Sequence, residues 1–391
     1  MSNSTENHSD RAHAVLSASG ASRWLNCTPS ARMCDGIEEE SSDSAKEGTT
    51  AHELSENILR KKLGIISDKE HNLRLLEIRK SPFWSTDMED QVEPYITLVL
   101  EQIAEARGSS VDALVLIEEK VSLETYIMEG FGTCDLIIIA DGIMYIIDLK
   151  FGKGVRVSAI ENSQLKLYGV GALEAFGMLY DIHTVRLTIS QPRLDAISTW
   201  DISADDLMFW AEEYVAPTAK LAYAGLGETN PGDWCRFCKA KAFCPALREE
   251  TLAIAEVDFE DISQDLDTLL EVYHVAGRVR EFLSAVETHV YSKALEGHKW
   301  TGLKLVTSSG NRRIADVAKA IASLKKAGYE DHIYLNIEPK LKGLGDLKKN
   351  IGQAKMDQLL GKLIIKPEGK PALVDESDNR PEFNKADDFL D

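Results

Sequence analysis

The sequence predicts an α/β core, a sheet that starts as antiparallel strands with helices before and after it, and three observations carry that prediction. From about residue 111 the apolar pattern changes from helical spacing to strand-like runs, "VDALVLIEEKVSL", "YIMEGFGTCDLIIIA" and "IMYIIDLKFG". Asp141 and Gly142 separate the last two runs, and an Asp-Gly pair suits a two-residue type I′ turn, which needs positive φ at both central positions. A helix, "SAIENSQLKLYGVGALEAFG", and a further strand, "TVRLTISQPRL", follow in the order expected of α/β architecture.

The remaining elements follow along the chain. Residues 1–14 are polar and expected to be disordered. "ASGASRWLNCTPSARM" reads as a short helix and "DGIEEESSDS" as an acidic linker. Amphipathic helices are predicted over 46–63 and 89–106, and another over about 203–225. A soft boundary near 250 separates the core, residues 15–250, from a mainly helical accessory region, 251–375, which begins with "DLDTLLEVYHVAGRVREFLSAVETHVYSKALEG". Residues 376–391 form an acidic tail. No internal repeat or coiled-coil heptad is visible.

Charge and cysteine content narrow the function. Across 391 residues the formal net charge is -20, which opposes indiscriminate binding to a polyanion, since nucleic-acid affinity rests largely on Lys and Arg neutralising phosphates. Locally the balance differs: Thr301 to Asn350 holds ten Lys or Arg against five Asp or Glu. No stretch has the roughly 18 uninterrupted apolar residues of a membrane helix, and the N-terminus lacks a signal pattern, so no membrane partner and a cytoplasmic location are expected. In a reducing compartment, six cysteines point to metal or redox chemistry more than to disulfides.

Within the hairpin, pairing Ala140 with Ile143 sets Asp135 directly opposite Asp148, where like charges repel and something positive is expected between them. Alternation puts Asp148 and Lys150 on one strand face. Two carboxylates able to hold a hard cation, with a lysine beside them, are the parts of a metal-assisted phosphodiester hydrolase. Upstream, "GTTAHELSE" carries His52, Glu53 and Glu56 on a predicted helix; downstream, Gln164 and Tyr168 share a helix face at i, i+4 spacing. Lys150, Lys153, Arg156 and Lys166 form a plausible basic track for DNA, helped by the basic stretch after 301.

These motifs, "GTCD" and "IIDLK" with Gly48, Thr49, His52 and the Gln164/Tyr168 helix, resemble the PD-(D/E)XK nuclease superfamily, in particular its RecB-like exonuclease branch. The resemblance covers about residues 15–250 and implies a restriction-endonuclease-like core with a mixed central sheet. It also implies that His52, Asp135 and Asp148 ligate Mg²⁺ or Mn²⁺, that Lys150, Gln164 and Tyr168 serve catalysis, and that Glu56 or Glu53 is the helix acid. The expected activity is a DNA exonuclease in phage-type recombination or repair, working beside a single-strand-binding or annealing protein. Rival readings are a catalytically silent DNA-binding module and a protein-interaction scaffold on the same fold.

"WCRFCKAKAFCPA" gives Cys235, Cys238 and Cys244, one ligand short of a four-thiolate site. Cys27 is the best candidate for the fourth, Cys34 is its rival, and Cys134 reads as a buried apolar residue. Spacing suits structural zinc or an iron–sulfur cluster alike. AddB-like members of the RecB-like branch carry one cysteine before the nuclease core and three after it, and that resemblance implies a [4Fe–4S] cluster.

Overall fold

The structure is a computed structural model and describes residues 15–37, 42–154, 156–255, 266–309, 312–335, 341, 343–365, 368–375 and 382. The expected disordered segment 1–14 and nearly all of the acidic tail lie outside the described residues. The chain divides into two compact units, Met1–Phe282 and Leu283–Asp391.

The first unit opens with two short helices, α1 (Ala21–Asn26) and α2 (Ser30–Met33). Helix α3 (Asp43–Lys62) starts where the Ser42 hydroxyl accepts the Ala45 N–H at 3.2 Å, and it closes on Arg60, Lys61 and Lys62, charges that favour a helix C-terminus. It is followed by α4 (Asp68–Ile78) and α5 (Met88–Ser109). Five strands then form one mixed sheet in sequential order: β1 (Leu114–Ser122), β2 (Phe131–Ala140), β3 (Ile143–Leu149), β4 (Thr184–Gln191) and β5 (Ala196–Ser203). Pairing is antiparallel except between β3 and β4, which run parallel because helix α6 (Ser163–Phe176) crosses between them. A helical run of α7 (Ala204–Trp210), one π-helical turn and α8 (Ala216–Ala224) leads to α9 (Pro245–Ala255) and α10 (Leu266–Leu295); the division between the units falls inside α10.

Both faces of the sheet are covered. Ile137, Ile139, Met144 and Ile146 pack under α6 and α7, while Leu136, Ile138, Tyr145 and Ile147 pack under α3 and α5. Fully burying each such aliphatic side chain contributes on the order of 1.5–3 kcal/mol, so the hairpin contributes heavily to the unit's stability.

The second unit adds strands to the mainly helical character expected of it. Beside α11 (Val317–Lys326), α12 (Asp331–Tyr334), α13 (Leu344–Ile351) and α14 (Gln353–Leu360), it pairs β6 (Leu303–Ser309) with β9 (Glu368–Asp375) and β7 (Arg313–Ile314) with β8 (Ile364–Ile365). Its own core gathers Ala320, Leu324, Tyr334, Leu347, Met356 and Leu360. No described helix in either unit is long and apolar enough to cross a membrane.

Candidate functional site

The Asp141-Gly142 hairpin has the expected register, with Ala140 facing Ile143 and Leu136 facing Ile147. Pairing ends there, one residue short of Asp135 and Asp148. Strict alternation would turn Asp135 toward the α6 face with Ile137 and Ile139. Instead Cys134 joins that face, and Asp135 lines a small cavity with Leu149, Tyr95 and Ile117 on the α3 and α5 side. On β1 the residue in register with Asp135 is Glu118, whose φ of 55° is unusual for a side chain other than glycine. Left-handed backbone inside a strand costs energy and tends to be retained where a side chain must be aimed.

That local distortion assembles an acidic pocket. His52 Nδ1 lies 3.3 Å from Asp135 Oδ1, and ligand atoms of His52, Glu118 and Asp135 all fall within 4.8 Å of one another. Among the described residues this is the one set of three His, Cys, Asp or Glu side chains so close. Glu56, one helical turn beyond His52, lines the same cavity while pairing with Arg60 at 2.7 Å; Glu53 lines a larger cleft instead. The buried Ser55 hydroxyl also borders the cavity and makes no hydrogen bond.

The charges of the set compensate one another. Burial pulls the His52 imidazole down, but the Asp135 carboxylate, with Glu118 and Asp148, pushes it up to about 9. Burial pushes Asp135 up; the charge and hydrogen bond of His52, the Leu149 N–H at 2.7 Å and Lys150 outweigh it and hold the carboxyl low. The His52 proton answers the positive charge the sequence required beside Asp135, and an ion bound to the imidazole would displace it. One imidazole and two or three carboxylates suit Mn²⁺ or Mg²⁺, and the residues fit such an ion.

Asp148 belongs to a second, contiguous network. It is 2% exposed, and burial raises its carboxyl, with Asp135 adding to the shift. Lys150 Nζ donates to Asp148 Oδ1 at 3.2 Å and to Gln164 Oε1 at 2.9 Å; Gln164 Nε2 lies 3.3 Å from Asp148 Oδ1 and 2.8 Å from the Tyr168 hydroxyl. Asp148 Oδ2 pairs with Lys150 Nζ at 2.9 Å and is otherwise without a hydrogen-bond partner among the described residues, which leaves lone-pair capacity on one buried carboxylate oxygen. Burial lowers Lys150, yet Asp148 and Asp135 more than restore it, so it stays cationic. The Asn162 side chain caps α6 by accepting the Leu165 N–H, which sets Gln164 and Tyr168 over the strand end. Gly132 makes room for the Tyr168 ring: a Cβ there would lie 2.6 Å from it.

Lys150 and His52 open onto a cleft of about 1440 Å³ whose walls include Lys46, Phe83, Arg236 and Phe237. Lys153 and Arg156 are exposed. Lys166, expected on the basic track, is not available to DNA: it is 5% exposed, its Nζ lies 4.0 Å from the Trp210 ring centre, and it pairs with Glu161 at 2.8 Å.

The cysteines meet at the other end of the chain path. Thr28 Oγ1 donates to the Leu226 carbonyl, Arg32 Nε to that of Tyr223 and Tyr214 OH to that of Leu25, which fastens α1 and α2 to the segment around α8. Gly225, at φ 69°, ends α8 and leaves room for Arg32. Cys27, Cys235, Cys238 and Cys244 consequently line one small cavity. The Asn230 N–H approaches Cys27 Sγ at 3.5 Å and the Gly232 N–H approaches Cys235 Sγ at 3.4 Å. Cys34 Sγ lies 3.7 Å from Cys238 Sγ, and that shared hydrogen bond lowers Cys34 to about 6 while raising Cys238. Cys134 is fully buried in the core away from this cavity, and burial pushes its thiol up.

Sequence reasoning missed Glu118 and Tyr95 as parts of the acidic cavity. The one available signal for Glu118 was a pair of glutamates, Glu118 and Glu119, inside an otherwise apolar strand. The solved crystal structure of SSO0001 aligns over 58% of this chain and 96% of its own length at 14% identity, with a TM-score of 0.23, a likeness too slight to support an inference. A family model described as "Protein of unknown function (DUF2800)" matches residues 13–381, nearly the whole sequence, and the chain belongs to the DUF2800 family.

Proposed function

We propose that this protein is a divalent-cation-dependent deoxyribonuclease of the PD-(D/E)XK type, with a RecB-like arrangement of its site. The observation that carries the reading is the convergence of His52, Glu118 and Asp135 beside Asp148 and Lys150, at a strand end that opens into a large cleft. His52, Glu118, Asp135 and Asp148 Oδ2 would hold Mg²⁺ or Mn²⁺. A bound ion would polarise the phosphodiester and lower the pKa of a water.

The chain's own residues supply the rest. Asp148 and Gln164 fix the Lys150 ammonium, and the Tyr168 hydroxyl fixes Gln164, so Lys150 is poised to orient the attacking water and offset charge growing on the phosphate. Water oxygen bonds to phosphorus, the ester P–O bond breaks, and the departing sugar oxygen takes up a proton. A cleft of about 1440 Å³ exceeds the roughly 300–1,000 Å³ typical of small-molecule sites and suits a polymer.

Four thiols lining one cavity support a metal cofactor held by Cys27, Cys235, Cys238 and Cys244. The four-cysteine spacing suits zinc or iron–sulfur alike, and the resemblance to the RecB-like branch favours a [4Fe–4S] cluster. By its motifs the enzyme acts from DNA ends, in phage-type recombination or repair beside a single-strand-binding or annealing protein. The charge of residues 1–282, 26 Lys and Arg against 48 Asp and Glu, favours the rival reading of a scaffold for a basic partner.

The test is cleavage of linear and of covalently closed circular DNA with Mn²⁺, Mg²⁺ or EDTA. The expected result is cation-dependent loss of the linear substrate alone, abolished by Asp135→Asn. Absence of cleavage with either ion by protein of full metal content leaves the scaffold reading; degradation of the circle makes the enzyme an endonuclease.

A further inference from the structure

Phe237 is 80% exposed, and it shares the cleft with Phe83 and Lys150. Each ring carries a cation: Lys46 Nζ lies 5.5 Å from the Phe83 centroid and the Arg236 guanidinium 5.6 Å from that of Phe237. Phe83 comes from the loop between α4 and α5, and Phe237 from the 3₁₀ turn Asp233–Phe237. With α3, which carries Lys46, three segments therefore deliver two rings and two cations to the same space. The charges lining the cleft nearly cancel, since Lys46, Lys150, Arg236 and Arg278 stand against Glu53, Asp233 and Glu281, and Glu281 lies 3.9 Å from Arg236.

A near-neutral cleft serves a duplex poorly, because duplex affinity comes from phosphate neutralisation. Stacking needs no net charge, only a base face that pairing has not hidden in the helix, and a cation over the ring strengthens the contact. We propose that Phe83 and Phe237 are stacking platforms that hold the bases of an unpaired DNA strand as it enters toward Lys150. This specifies the substrate of the nuclease reading and rests on it for location, but binding is measurable without cleavage.

The experiment measures affinity of the full-length protein in EDTA for a fluorescent oligothymidylate and for a mixed-sequence duplex, at two salt concentrations. Binding of the oligothymidylate is expected to be stronger than that of the duplex, to weaken about tenfold in Phe237→Leu and in Phe83→Leu, and to recover in Phe237→Tyr, because stacking on aromatic rings typically contributes this much per base. Metal content and melting temperature identify a Phe237→Leu protein whose neighbouring Cys235 and Cys238 remain in order; Phe83→Leu is the independent second variant. Oligothymidylate affinity unchanged within twofold in both leucine variants overturns the proposal, as does a duplex bound as tightly as the single strand. A parent protein that binds the single strand through these rings yet never cleaves DNA sinks the nuclease reading and leaves the platforms standing.

Discussion

The acidic site and the cysteine site differ in how the chain assembles them. His52, Glu118, Asp135, Asp148, Lys150, Gln164 and Tyr168 span little more than a hundred residues, and the sheet with helices α3 and α6 places them. Their charges are already balanced, by His52 against Asp135 and by Lys150 against Asp148. The thiols come from segments roughly 200 residues apart, joined by a few hydrogen bonds to backbone carbonyls. A ligand set carried on stiff, neutralised structure holds its shape when empty; one that ties distant segments together contributes to folding itself.

That contrast is sharpest if a thiol is lost. Cys235→Ser and Cys27→Ser should yield colourless, poorly soluble protein, since opening a closed loop of this length costs on the order of 4–5 kcal/mol before any metal-binding energy is counted. Iron content, absorbance and thermal unfolding after anaerobic purification check this. Full metal content in Cys27→Ser would transfer the fourth position to Cys34, 3.7 Å from Cys238. Stoichiometric zinc without iron would replace the cluster and keep the site.

Next in size is Glu118→Gln, which should reduce cleavage on the order of 10²-fold and weaken Mn²⁺ binding, with the melting temperature unchanged or raised because a half-buried like charge beside Asp135 is removed. Calorimetric titration with Mn²⁺ alone separates the two effects. A destabilised Glu118→Gln protein with normal turnover would mean the left-handed residue serves the strand and not the ion.

Lys150→Ala should lower turnover about 10²-fold while DNA affinity in EDTA changes little, the pattern of a group that acts mainly in the transition state. An equal fall in affinity would make Lys150 a phosphate anchor. The smallest effect is expected from neutralising Lys153 and Arg156 together: binding weakens by about tenfold and the logarithmic salt slope falls by about 1–2. An unchanged slope would put the basic track elsewhere, the second unit with its 18 Lys and Arg against 16 Asp and Glu being the next place to look.

Legibility from sequence followed the same division. An Asp-Gly turn between two apolar runs specified the hairpin register, and helical spacing put Gln164 and Tyr168 on one face; both are local rules. β2 starts at Phe131 and not at 126, because Tyr126 to Gly130 forms a hydrogen-bonded turn. β5 was not foreseen, since "AISTWDIS" is a half-exposed edge strand whose alternation mixes Ser, Thr and Asp with its apolar residues. α4 has few buried residues and so little amphipathic pattern to read. The turn of Asp135 out of alternation and the left-handed Glu118 depend on pairing across a connection whose length fixes no register, which is why the missing ligand escaped a reading that found its neighbours.

The fastening of α1 and α2 to the segment after α8 also orders events in time. As the chain leaves the ribosome, the hairpin, α6 and the acidic site can form once residue 176 has emerged. Cys27 must wait for Cys244, roughly 70 residues later, and at typical synthesis rates of about 5–20 residues per second that is several seconds of exposed thiols and an unsealed N-terminal segment. Contacts of such long sequence separation form slowly even after release. The last step in maturing this unit is therefore closure around the thiol cavity, and it is the step in which the thiols stay exposed longest when the protein is produced.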